Sequence, residues 1–190
     1  MNNKTRNIVG IGVFTAVVVA LQLLGGGIRF GIFSISLVLI PIVVGAAVYG
    51  RAAGAWLGFA FGVTVLLSGD AGAFLAVDPL ATVLVVLVKG TMCGLCAGLV
   101  YKLAAHWNKV TAVLSAAMIC PIVNTGIFLI GCKLFFLETI TEWAALYGYA
   151  DAGTYMIFGL TGINFLIELG VNLVLAPVIV RLIRLGQKTK

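Results

Sequence analysis

Three charged side chains lie inside otherwise apolar stretches of the sequence. Lys89, Lys133 and Glu168 each fall within a run of residues long and apolar enough to enter a bilayer. A charged group at the centre of a membrane costs about 2.5–3.5 kcal/mol even on insertion scales, so it is retained where it faces a cavity, an opposite charge or a ligand. We expect Lys89 and Glu168 to lie in the interior, whereas Lys133 is close enough to a helix end to reach the surface.

Uncharged polar residues accompany these charges at helical spacing. Asn164, Glu168 and Asn172 are four residues apart in turn, so they share one face of a helix. Asn124 and Thr125 fall near the middle of the preceding apolar run. Both groups therefore place hydrogen-bonding side chains at membrane depth.

Two interpretations of this polar group remain open. In the first, Glu168 pairs with Lys89 and the asparagines bond across helices as a structural clamp. In the second, Lys89, Asn124, Thr125 and Asn164 face a small polar ligand in a pocket that opens to the outside. The two are compatible, because Glu168 can be structural while its neighbours bind.

The sequence offers little for catalysis. Cys93 and Cys96 form a CxxC pair, but no second pair or nearby histidine completes a zinc site, so packing accounts for them. The only histidine, His106, lies in a polar turn, and no G-x-x-x-x-G-K-[ST] phosphate-binding loop occurs. A membrane enzyme that uses Glu168 as acid or base is a remaining alternative, without a nucleophile or metal beside it. We therefore predict no enzyme activity, no metal and no cofactor.

The composition excludes several classes of protein. Of 190 residues, 62% are hydrophobic and 9% are charged, against about 45–50% and about 25% in soluble domains. A soluble enzyme, a disordered chain and a nucleic-acid-binding module are excluded. A β-barrel would alternate apolar and polar residues, and residues 83–88 do not. The sequence predicts an all-α membrane bundle forming a single domain over residues 1–190.

Six spanning helices are predicted, separated by short polar or glycine-rich breaks. They cover about residues 8–24, 32–49, 52–68, 80–103, 110–137 and 155–183, with a longer connection at 138–154. With the N-terminus inside, nine basic residues and no acidic residue lie on the cytoplasmic side. The positive-inside rule thus predicts that both termini are cytoplasmic.

Three predicted helices carry a small residue at every fourth position, which creates a groove for another backbone. The stripes are Gly12, Ala16 and Ala20 in the first helix, Gly54, Gly58 and Gly62 in the third, and Gly90, Gly94 and Gly98 in the fourth. Packing within the bundle explains the last two. The first is open to two interpretations, internal packing or an outward docking face for a second membrane protein.

The first outer loop, residues 25–31, is rich in glycine and carries Arg29 and Phe30. An aromatic residue there fits the belt that lines membrane interfaces. Alternatively the loop is a lid over an outward pocket, with Arg29 and Phe30 available to a ligand.

These features together resemble the substrate-binding S components of energy-coupling factor (ECF) transporters, which are bacterial vitamin importers. The resemblance covers nearly the whole chain and rests on the six helices, the glycine-rich loop, Ala16-x-x-x-Ala20, and the segments SLVLIPIVVG (residues 36–45) and YGRAAG (residues 49–54). It implies a multi-pass protein of the bacterial cell membrane. It also implies that the stripe of Gly12, Ala16 and Ala20 docks a transmembrane coupling subunit, and that two ATPase subunits supply the energy.

The resemblance also implies a vitamin bound among the outer loops and the last three helices. Residues 88–101, with Lys89, and residues 123–125, with Asn124, look most like the pantothenate-type branch. A basic residue there suits a carboxylate, although lysine replaces the arginine of the family pattern and cannot bind it bidentately. Riboflavin, folate or another vitamin is an alternative ligand. An independent small secondary transporter or channel is the alternative function.

Overall fold

The structure, a computed structural model, describes the backbone of residues 3–25, 29–30, 33–34 and 37–188, and the side chains of residues 4–25, 37–162 and 164–183. Two short strands, β1 (Arg29–Phe30) and β2 (Phe33–Ser34), pair antiparallel. The helices are α1 (Asn3–Gly25), α2 (Leu39–Tyr49), α3 (Arg51–Leu67), α4 (Gly72–Leu75), α5 (Pro79–Ala104), α6 (Lys109–Phe135), α7 (Leu137–Leu146), α8 (Ala152–Thr154), a π-helix (Tyr155–Gly162), α9 (Ile163–Val174) and α10 (Ala176–Lys188).

Four helical segments are long and apolar enough to cross a membrane. They are Lys4–Gly25, Pro79–Ala104, Lys109–Phe135 and Ala152–Val174. The helices α2 and α3 have 11 and 17 residues, or about 16 and 26 Å at 1.5 Å per residue. The hydrocarbon core is about 30 Å thick. The described residues therefore form a helical membrane bundle with four long helices and two shorter apolar ones.

The short helix α2 lies at the centre of the bundle. All but two of its residues are buried, and it contacts α1, α3, α5, α6 and α10. A helix that is apolar on every face is expected in such an enclosed position. The predicted start of this helix near residue 32 is wrong, because Phe33–Ser34 forms β2 and the helix begins at Leu39. Pro41 fits in the first turn, where its missing N–H has no helical partner to lose.

The glycine stripes of α3 and α5 face each other across a backbone contact. A Cβ atom on Gly58 would overlap the carbonyl oxygen of Gly90, and one on Gly54 would overlap that of Gly94. No side chain fits between the helices at these two levels, so their backbones touch. The predicted packing role of both stripes is confirmed.

Side-chain caps define where α5 and α6 begin. The Oδ1 atom of Asp78 accepts a hydrogen bond from the N–H of Ala81 at 3.0 Å, and Pro79 follows as the first helical residue. The Oδ1 atom of Asn108 accepts one from the N–H of Val110 at 3.0 Å. Both arrangements satisfy donors that a helix start otherwise leaves unpaired. The two helices accordingly begin within one residue of their predicted starts.

The chain after α6 differs from the prediction. The fifth helix ends at Phe135, two residues early, because Phe136 leaves helical geometry with φ −125° and ψ 15°. The predicted connection at 138–154 contains the helix α7 instead. Ile140 and Ala144 are buried on one face of α7, and this spacing of four is the signal that the sequence analysis missed.

The last predicted helix, 155–183, is not continuous. It begins as a π-helix, in which Thr161 Oγ1 donates a hydrogen bond to the carbonyl of Met156 at 2.9 Å. The following α9 ends at Val174, and α10 starts at Ala176. Pro177 explains this interruption, because it has no N–H to donate to the carbonyl four residues earlier.

The backbone contact predicts a specific sensitivity to one methyl group. Gly58→Ala should destabilise the bundle by about 1–3 kcal/mol, because α3 and α5 must move apart to admit the Cβ atom. The measurement is the thermal unfolding midpoint of the detergent-purified protein.

Gly126→Ala is the matched control for this substitution. Gly126 also lies within a helix, but a Cβ atom there meets no atom within 4 Å. It should leave the unfolding midpoint unchanged or raise it, because alanine is the better helix former. Equal effects of the two substitutions would contradict the backbone contact.

Candidate functional site

A cavity of about 110 Å³ lies between α1, α3, α5, α6 and the π-helix with α9. One water molecule needs about 10–15 Å³ on this measure, so the space accommodates several waters or part of a small organic ligand. Five residues singled out from the sequence all line it: Lys89, Asn124, Thr125, Asn164 and Glu168. Residues from three separate helices are thus brought together.

The ammonium group of Lys89 lies against aromatic rings. Its Nζ atom is 5.9 Å from the ring centroid of Phe61 and 5.3 Å from that of Phe128, within range of cation–π attraction. The carboxyl groups of Glu168 and Asp70 line the same cavity. Lys89 and Glu168 therefore line one cavity, which is compatible with both interpretations made from the sequence.

Two amide side chains bring buried acceptors to the cavity. The Oδ1 atoms of Asn124 and Asn164 are buried, and neither accepts a hydrogen bond from the part of the chain that the structure describes. A buried polar atom without a partner costs about 1–3 kcal/mol. The Oδ1 atom of Asn172, farther along α9, has the same character but lies outside the cavity lining. The cavity thus offers two acceptor positions that a donor group would satisfy.

One wall of the cavity is aromatic. It consists of Phe74, Phe128 and Phe136, and two further phenylalanines, Phe61 and Phe165, also line the cavity. Phe74 packs edge-on against Phe128 and Phe136, with centroid distances of 5.5 and 5.1 Å, and against Trp143 of α7 at 5.3 Å. Because T-shaped contacts of this kind are favourable, α7 holds the aromatic wall in place. The wall would suit an apolar or planar part of a ligand.

Gln22 and Asp70, which were not predicted from the sequence, also line the cavity. Gln22 Nε2 donates a hydrogen bond to Asp70 Oδ2 at 2.6 Å, and Ser68 Oγ donates to the same oxygen at 3.1 Å. These bonds tie the end of α1 to the turn after α3. Gln22 is the only amide in the first apolar run, a signal that could have identified it. Asp70 gave no comparable signal, because a single acidic residue in a predicted loop is expected to be exposed to solvent.

Some predicted groups are not part of the described cavity. The backbone of Arg29 and Phe30 forms β1, but their side chains lie outside the described residues. Lys133 is exposed near the end of α6 and does not line the cavity. All four cysteines are free, and the described residues contain no cluster of three histidine, cysteine or acidic side chains able to hold a metal ion.

The small-residue stripe of α1 faces away from the bundle. Gly12, Ala16 and Ala20 are all exposed, and a Cβ atom on Gly12 would meet nothing within 4 Å. Val18, by contrast, is fully buried. The stripe is therefore an outward groove of the kind in which a second helix can pack closely.

Comparison with known proteins agrees with this architecture. The sequence model of the family described as "ECF transporter, substrate-specific component" matches residues 6–180. Neither the comparison with curated proteins nor that with solved structures gives a significant match. The family match covers most of the chain, and the apolar helices are those of a multi-pass membrane protein. The chain belongs to the substrate-specific components of ECF transporters, membrane proteins that bind a substrate for transport.

Proposed function

We propose that this chain captures a vitamin for an ECF-type importer and that the cavity described above is the binding site. The observation that carries the proposal is the convergence of Lys89, Asn124 and Asn164 on a space with one aromatic wall. A ligand site of this class is mostly apolar, with a few polar groups that fix orientation. The two unpartnered amide oxygens are suited to N–H or O–H donors of the ligand.

Pantothenate is the substrate that we propose first. Its carboxylate would accept a charge-assisted hydrogen bond from Lys89, and its hydroxyl and amide groups would donate to Asn124 and Asn164. Thr125 adds a hydroxyl to the lining, and Glu168 of α9 would balance the lysine charge. The aromatic wall favours a second candidate, a vitamin with a planar ring such as riboflavin or folate.

The proposed topology has six membrane crossings, with the shorter α2 and α3 completing the four long segments. Both termini are then cytoplasmic, because the basic residues collect at that end. The cavity lies toward the opposite end of α5, so it would receive its ligand from outside the cell. Arg29 and Phe30 of the first outer loop are proposed as further ligand contacts. We place the protein in the bacterial cell membrane.

The energy source is proposed to be a separate module. Gly12, Ala16 and Ala20 would dock a transmembrane coupling subunit along the outward groove of α1, and two ATPase subunits would complete the importer. This division of labour suits a chain with no nucleotide-binding loop of its own. The alternative is an independent secondary transporter or channel, with α9 lining the pathway. Ligand uptake by vesicles that contain this chain and no ATPase would favour that alternative.

The ligand site predicts selective losses of affinity. Lys89→Ala should weaken vitamin binding about tenfold to a hundredfold, since a hydrogen bond to a charged group contributes about 1.5–3 kcal/mol. Asn124→Ala should weaken it about twofold to tenfold, through the loss of a neutral hydrogen bond. Isothermal titration of the detergent-purified protein with a vitamin panel measures both.

Lys133→Ala is the control for the loss of an intramembrane lysine, because Lys133 lies on the adjacent helix but outside the cavity. Its affinity should match that of the unaltered protein. Unchanged vitamin affinity in both Lys89→Ala and Asn124→Ala would contradict the assignment of the cavity as the binding site. An equal loss in Lys133→Ala would mean that intramembrane charge, rather than the site, determines binding.

The docking groove predicts a loss of partner binding without a loss of ligand binding. Ala16→Leu with Ala20→Leu fills the groove and should abolish copurification with the coupling subunit, since close helix approach requires small residues. Vitamin affinity should be retained, because neither alanine lines the cavity.

Ala52→Leu with Ala76→Leu is the matched control, since both alanines are exposed and lie outside α1. Full copurification is expected for this pair. Retention of the coupling subunit by the α1 pair would refute the docking role.

A further inference from the structure

A second opening, with a volume of about 430 Å³, lies at the end of the bundle opposite to the cavity. It is a crevice between the turn that joins α2 to α3 and the end of α5. Three basic side chains line it, Arg51, Lys102 and His106, and all three are exposed. The lining includes no acidic residue. We refer to this opening as the basic crevice.

The three basic side chains of the crevice are exposed to a ligand. Among the described residues, no hydrogen bond or ion pair involves the side chains of Arg51, Lys102 or His106. Adjacent positive charges without a compensating carboxylate raise the local potential and attract anions. The crevice therefore has the charge of an anion site and enough volume for more than a single ion.

The backbone adds donors to the same place. Gly50 has a φ of 94° and precedes α3, which begins at Arg51 without a side-chain cap. The first N–H groups of a helix have no partner within the helix, and the helix dipole makes that end favourable for negative charge. The space beside Gly50 is open, since a Cβ atom there would meet nothing within 4 Å. These backbone donors supplement the three basic side chains, which supply the positive charge of the crevice.

We propose that the basic crevice binds a phosphate group carried by an anionic phospholipid. The guanidinium of Arg51 can donate two parallel hydrogen bonds to phosphate oxygens, while Lys102 and His106 supply further donors. Trp107, next to His106, is 87% exposed, as expected of a tryptophan at the membrane interface. In the topology proposed above, the crevice lies at the cytoplasmic side of the membrane. Basic pockets between helices on that side are suited to acidic lipid headgroups. The site is independent of the vitamin cavity.

Native mass spectrometry of the detergent-purified chain with added phosphatidylglycerol or phosphatidylcholine tests the proposal. Arg51→Gln with Lys102→Gln removes two charges from the basic crevice. Lys109→Gln with Arg181→Gln is the matched control, since it removes one lysine and one arginine from outside the crevice lining. Thermal unfolding establishes that both pairs fold. If the variant with Arg51→Gln and Lys102→Gln does not fold, the variant with Lys102→Gln and His106→Gln replaces it, because both of those side chains are exposed.

Phosphatidylglycerol should be retained by the unaltered protein at concentrations where phosphatidylcholine is not. The variant with both crevice substitutions should need at least about tenfold more phosphatidylglycerol for the same retention as the unaltered protein. The control variant should need less than about twofold more. A parallel titration with inorganic phosphate identifies the source of the group. Inorganic phosphate could raise the unfolding midpoint in an Arg51-dependent way while no lipid is retained. That result would support a phosphate site and contradict a lipid as its ligand. Equal losses in both pairs, or no binding of either probe, would overturn the site.

Discussion

The backbone contact between α3 and α5 determines the geometry on which the cavity depends. Gly58 lies against Gly90, so no side chain separates the two helices at this level. Phe61 is three residues beyond Gly58, and Lys89 immediately precedes Gly90. The same contact therefore sets the distance between the aromatic ring and the ammonium group. Once these are placed, α6 and α9 complete the cavity with their amide and carboxylate side chains.

The interior charge is tolerated because several weak interactions surround it. The Nζ atom of Lys89 lies within cation–π range of two aromatic rings, and the carboxyl groups of Glu168 and Asp70 line the same cavity. Asp70 is in turn held by hydrogen bonds from Gln22 and Ser68. A charge with partners of this kind costs far less than an isolated one. The amide oxygens of Asn124 and Asn164 accept no hydrogen bond from the described residues, so they are open to donor groups of a ligand.

Much of this arrangement could be predicted from the sequence, and the failures have physical causes. Lys89 and Glu168 stand out because charge is rare in apolar runs, and glycines at every fourth residue indicate packing faces. The helix break at Pro177 and the later start of α2, at Leu39 rather than residue 32, were not predicted. A continuous apolar run does not reveal where a helix within it begins or ends. The amphipathic α7 was hidden by its polar surroundings. Asp70 lies at the cavity because the fold brings the turn after α3 against the end of α1. No local sequence pattern predicts such a long-range contact.

The central claim is that this chain binds a specific small molecule within its membrane domain. The most direct test is mass spectrometry of the small molecules released when the detergent-purified protein is denatured. The account predicts one vitamin in close to stoichiometric amount, either carried through purification or acquired after incubation with a vitamin panel. A protein that remains empty after that incubation would contradict the claim and favour an independent channel.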